Sequence, residues 1–99
     1  MIDLAKITDF DWDDGNTRKN DKHGVSMAES EQVFFNEPLL LIADAKHSQA
    51  ESRFYALGKT DEGRTLHITF TLRNAGKRIR VISARGMHRK ERTIYEQTT

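Results

Sequence analysis

Residues 66–85, LHITFTLRNAGKRIRVISAR, constrain the fold of this chain more than any other stretch. Leu66, Ile68, Phe70 and Leu72 alternate with His67, Thr69, Thr71 and Arg73, the two-residue period of a strand with one buried face. Asn74-Ala75-Gly76-Lys77 reads as the turn of a hairpin, with Gly76 free to take a positive φ. A two-residue loop at Ala75-Gly76 pairs Leu72 with Ile79, Phe70 with Val81 and Ile68 with Ser83. The same register sets Arg73 beside Arg78, Thr71 beside Arg80 and Thr69 beside Ile82 on the other face. One face is therefore apolar, and the other carries cations and hydroxyls. Like charges set side by side repel, and a polyanion laid across them relieves the repulsion.

The charge distribution points the same way. Residues 1–62 hold 7 Lys and Arg against 13 Asp and Glu, a balance of −6; residues 63–99 hold 9 against 2, a balance of +7. Seven of those nine cations are arginines, suited to forked contacts with phosphate. The basic half is thus expected to attract nucleic acid or an acidic protein segment. With no cysteine, disulfides and thiolate metal sites are excluded. His23, His47, His67 and His88 lack the spacing of a metal site, so neither metal nor cofactor is expected. No apolar run is long enough to cross a bilayer and no signal sequence is evident, so a cytoplasmic protein without membrane association is expected.

At 99 residues the chain is expected to form one domain over residues 10–97, preceded by a loose extension over 1–9. Asp13 or Asp14 caps a helix running to about His23 and stopped by Gly24. Ser26 and Glu29 have capping-box spacing and open a second helix through Phe35, ended by Pro38. Leu39–Ala43 and Ser52–Thr60 are strand candidates, and a Glu62-Gly63 turn pairs Leu57 with Ile68 and Tyr55 with Phe70. Gly86 breaks the last strand before a helix over Met87–Gln97. The expected architecture is α+β: two N-terminal helices, a three- to four-stranded antiparallel sheet with helices on one side, and a C-terminal helix.

In this order the chain resembles the BrnT family of toxins from BrnT/BrnA toxin–antitoxin systems. The resemblance runs over about residues 10–96. It rests on Phe10-Asp11-Trp12-Asp13, Asn20-Asp21-Lys22-His23-Gly24-Val25-Ser26 and Asp44-Ala45-Lys46-His47-Ser48 with Glu51 and Arg53. Arg80-Val81-Ile82-Ser83-Ala84-Arg85 and Glu91-Arg92 with Tyr95 complete it. The resemblance implies a RelE-like fold and a ribonuclease toxin that cleaves RNA and arrests growth. It also implies a BrnA-like antitoxin, through which alone the complex contacts DNA.

Cleavage of RNA without a metal requires a base for the 2′-hydroxyl, stabilisation of a charged phosphorane and a proton for the leaving oxygen. Arg80 is the first candidate for the charge-stabilising group, followed by Arg85, Arg73 and Arg64. His67 shares the polar face in the expected register and titrates in the useful range. Tyr95 is a candidate proton donor or stacking group, and Arg78, Lys77, Arg89 and Arg92 are candidate RNA contacts. Glu91 is expected to pair with an arginine. The competing reading is a non-catalytic module that binds nucleic acid or an antitoxin.

Overall fold

A computed structural model describes residues 2–47 and 51–99. The strands are β1 (Asp9–Phe10), β2 (Leu40–Ala43), β3 (Arg53–Lys59), β4 (Thr65–Arg73) and β5 (Arg78–Gly86). The helices are α1 (Asp14–Lys22), α2 (Met27–Val33) and α3 (Arg89–Thr98). The strands make one sheet in the order β1-β5-β4-β3-β2. Among the described residues the sheet has five strands and is mixed, which corrects the antiparallel, three- to four-stranded expectation. Asp9 and Phe10 run parallel to Arg78 and Ile79 and cap the β5 edge. A two-residue strand carries almost no periodic signal, so alternation alone cannot announce it.

Both N-terminal helices start as their capping residues predict. Asp13 Oδ1 accepts from Gly15 N at 2.9 Å, and Ser26 and Glu29 form the reciprocal capping box. Gly24, past the end of α1, has φ +69°, the left-handed geometry that glycine adopts without penalty. Asn16 is buried and its amide is fully used. It donates to the carbonyls of Asp11 and Val81 at 2.8 Å each, and its Oδ1 accepts from Asp13 N at 2.7 Å. This one side chain fastens α1 to β5.

Helices cover both faces of the sheet, not one. Val25, Val33 and Phe34 pack with Phe54, Ala56, Leu66, Ile68, Phe70, Ile79, Val81 and Ala84 in the main core. Phe34 meets Phe70 edge-on at 5.1 Å. On the other face Tyr95 of α3 joins Leu57 and Met87, with Leu40, Ile42 and Tyr55 against them.

Two local irregularities decide which side chains share a face. The β3–β4 loop has three residues, Asp61 to Gly63, closed by Thr60 N donating to the Arg64 carbonyl at 2.9 Å, with Gly63 at φ +86°. The extra residue shifts the pairing by one from the expected register: Phe54 faces Phe70, Ala56 faces Ile68 and Leu57 faces His67. Tyr55 and Leu57 therefore leave the core face for the opposite one. In the β4–β5 hairpin the expected pairs hold from Arg73↔Arg78 to Phe70↔Val81, after which a bulge displaces the ladder. Thr69 then faces Ser83, not Ile82, and Ile68 faces Ala84, not Ser83.

Candidate functional site

The bulge has a chemical consequence. Arg80 and Arg85 are five positions apart, an odd spacing that puts them on opposite faces of a regular strand. The additional residue turns Arg85 to face His67 across the ladder, while Ile82 and Ser83 both line one cleft. That cleft, about 490 Å³, lies between the open sheet face and α3. Tyr55, His67, Thr69, Ser83, Glu91, Arg53 and Asp44 line it over Ile42, Leu57, Ile82 and Ile94.

His67 is the central group. Its ring stacks on Tyr55 with centroids 5.0 Å apart and planes 19° from parallel. Its Nε2 lies 3.7 Å from Glu91 Oε2. Burial lowers its pKa; the Glu91 carboxylate pushes the other way, and the Arg85 guanidinium adds to the lowering. The imidazole is thus held neutral at neutral pH, in the form that accepts a proton.

Glu91 is fixed from three directions. Arg85 Nη1 and Nη2 donate to its two carboxylate oxygens at 2.8 Å each, and His88 N donates to Oε1 at 2.8 Å. The Arg85 hydrogen bonds, outweighing burial, bring its pKa down to about 2. Glu91 is thus a permanent anion. It anchors the first turn of α3 to β5 and supplies a negative charge beside His67, the arginine pairing expected of it.

The remaining candidates do not converge on this cleft. Arg80 is clamped by Asp13 through two 3.0 Å hydrogen bonds and lies 3.4 Å from Asp11. Arg78 reaches Asp9 at 3.3 Å and the Phe10 carbonyl at 3.0 Å, and Arg73 reaches Glu51 at 2.7 Å. Arg64 donates to the Gly24 carbonyl at 2.9 Å and to Glu29 at 3.1 Å, on the side covered by α2. The expected open array of guanidinium groups is therefore replaced by ion pairs: Asp9, Asp11 and Asp13, brought to the β5 edge with β1, take Arg78 and Arg80, while Glu51 and Glu29 take Arg73 and Arg64. Tyr95 is 5% exposed and donates its hydroxyl to the Pro38 carbonyl at 2.6 Å. It packs α3 against the sheet and lies outside the cleft lining. Lys77, Arg89 and Arg92 are exposed.

Arg53, Tyr55, Ser83 and Asp44 are cleft residues absent from the sequence-based candidates. Arg53 carries a signal, since it ends the motif that begins at His47; Tyr55 falls on the core face with a two-residue turn and on the cleft face in the observed register. Ser48 lies outside the described residues. Among the described residues no cluster of His, Asp and Glu is arranged to hold a metal, and no helix is long and apolar enough to cross a membrane.

Fold and cleft together define a small α+β domain with a neutral histidine, a fixed carboxylate and guanidinium groups at one sheet–helix junction. The family model described as "Ribonuclease toxin, BrnT, of type II toxin-antitoxin system" matches residues 12–91. The chain belongs to that family of ribonuclease toxins. A search of curated proteins gives no match.

Proposed function

We propose that the cleft between the sheet and α3 is the ribonuclease site, and that it works without a metal. His67 takes the proton of a ribose 2′-hydroxyl, and the 2′-oxygen attacks the adjacent phosphorus. The bond to the 5′-oxygen breaks, leaving a 2′,3′-cyclic phosphate, and the departing oxygen takes a proton from solvent at the open mouth. Arg53 offsets charge on the phosphorane, and Arg85, set by Glu91, contributes its field from across the ladder. Exposed Arg89, Arg92 and Lys77 guide the RNA backbone. Cutting RNA in the cytoplasm blocks translation and growth until a BrnA-like antitoxin neutralises the toxin, and DNA is reached only through that antitoxin.

The observation that carries this reading is the place of His67, stacked on Tyr55 in an open cleft with its proton affinity lowered by burial. The test is cleavage of single-stranded RNA by the purified chain in EDTA. His67→Asn is expected to lower the rate by about 100-fold or more with unchanged circular dichroism, and an undiminished rate refutes the assignment. The ion pairing of Arg64, Arg73, Arg78 and Arg80 favours a second reading, a module that binds antitoxin or nucleic acid without cutting. That reading predicts no cleavage by the wild-type chain with or without EDTA.

A further inference from the structure

Away from the cleft lies an apolar surface in which the edge of the main core, at Phe34, Phe10, Leu39 and Leu41, is continued outward by two exposed side chains. Phe35, just beyond α2, is 77% exposed, and its neighbour Leu4 is 38% exposed. Two grooves of about 710 and 460 Å³ flank Phe35, and Leu4, Phe34 and Phe35 line both. One continues over Leu39 and Leu41, the other over Ile7 and Phe10. A large aromatic ring standing in solvent between two apolar grooves marks an interaction surface, not a stray exposed side chain.

The charged side chains that line these grooves are acidic. Glu37 lines the first, Asp9 and Glu31 line the second, and among the described residues no lysine or arginine lines either. Asp9 is partly offset by Arg78 at 3.3 Å, whereas the Glu31 carboxylate accepts from the uncharged Trp12 indole at 2.8 Å. A second copy of this chain seated here would bring two acidic rims together. RNA and anionic lipid are repelled by the same rim.

We propose that the antitoxin docks on this face through a segment of bulky apolar residues flanked by Lys or Arg. The proposal rests on the family membership for the existence of an antitoxin. It separates capture from catalysis, since no described residue lines both the cleft and either groove. Loss of docking therefore leaves the free toxin's cleavage untouched.

The experiment measures, by calorimetry, the affinity of the purified chain for the protein encoded by the reading frame adjoining its own. Phe35→Asp is expected to weaken binding by about 30-fold or more, and Leu4→Asp to weaken it independently. Glu37→Lys is expected to weaken it several-fold, with a larger effect at low salt. Each variant is checked by thermal melting and by RNA cleavage without the partner, both expected to match wild type. Binding within about threefold of wild type in both Phe35→Asp and Leu4→Asp overturns the proposal. So does tighter binding by Glu37→Lys, or the absence of any complex with wild type. A wild-type dimer in sedimentation that Phe35→Asp dissolves assigns the face to a second copy and overturns it as well. Failure of the ribonuclease reading shows separately, as absence of cleavage by the free wild-type chain whatever the affinities.

Discussion

Arg85, on the last strand, and Glu91, in the first turn of the last helix, are joined by a two-pronged ion pair of 2.8 Å on each arm. Their meeting depends on the β5 bulge, which turns Arg85 toward α3. Strand irregularity, helix cap and site chemistry are thus one construction.

The pair has an acid signature. The Glu91 carboxyl is held at about 2 in the folded chain against an ordinary 4.5. The unfolded chain therefore binds more protons between these values, and stability falls as pH drops through that window. Glu91→Gln is expected to cost about 2 kcal/mol at pH 7. The gap between variant and wild type should narrow on going from pH 4.5 toward pH 2. Urea denaturation at pH 7 and pH 3 measures both values, and an equal gap at both pH values contradicts the ion-pair account.

His67 sets the pH dependence of cleavage. With its pKa below the usual 6.5, kcat/KM is expected to keep its plateau to more acidic pH than an ordinary histidine allows, then fall as the imidazole takes a proton. Glu91→Gln removes the anion that favours the charged ring, so its acid limb moves to lower pH still. The profile of kcat/KM against pH for the two proteins, alongside an NMR titration of the His67 ring, reads the shift directly.

Tyr95 provides the contrast. Its hydroxyl is spent on the Pro38 carbonyl at 2.6 Å, and burial raises its pKa. Tyr95→Phe is expected to lose about 1 kcal/mol of stability with an unchanged cleavage rate. A large fall in rate without a fall in stability would return Tyr95 to the site.

Arg80 is a cation whose charge is cancelled in place. Arg80 hydrogen bonding is also what chiefly lowers the Asp13 pKa. Asp13→Asn keeps a good helix cap and removes the hydrogen-bonded counter-charge, leaving Asp11 at 3.4 Å. The partly freed guanidinium is expected to strengthen RNA association and to steepen log K against log salt by at most about 0.7. Fluorescence anisotropy with a short single-stranded RNA across a salt series measures the slope. An unchanged slope means that Arg80 lies off the RNA path.

The two helix caps, the hairpin turn and the apolar face of β4 were legible because each rests on residues adjacent in sequence. Ser26 and Glu29 announce a capping box without any knowledge of the sheet. What was not legible was set by contacts between distant segments. The three-residue loop at Gly63 and the bulge at Ile82 each move side chains to the opposite face, and no local pattern distinguishes them from a two-residue turn and a regular ladder. These two shifts brought Tyr55 and Arg85 to His67. The parallel pairing of β1, invisible in two residues, brought the aspartates that neutralise Arg78 and Arg80. Composition foresaw the two opposite charges but not which residues would meet.

Gly58 is the strand residue that α2 requires to be small. A Cβ there would stand 2.8 Å from Val33 Cγ1 and 3.4 Å from both the Val33 carbonyl oxygen and Leu39 Cδ1. Val33 is fully buried, and a β-branched side chain in a helix has little rotamer freedom with which to yield. Gly58→Ala stiffens the unfolded chain, which by itself stabilises by about 0.4–1 kcal/mol, whereas overpacking a closed core costs about 1–3 kcal/mol. The overpacking is the larger effect, and a net loss of about 1–2 kcal/mol is expected. It should appear as a lower urea midpoint at constant m. Val33→Ala in the same chain makes room for the added methyl, so the double variant should be less destabilised than the sum of the singles. Strict additivity would show that α2 does not rest on β3 at this point.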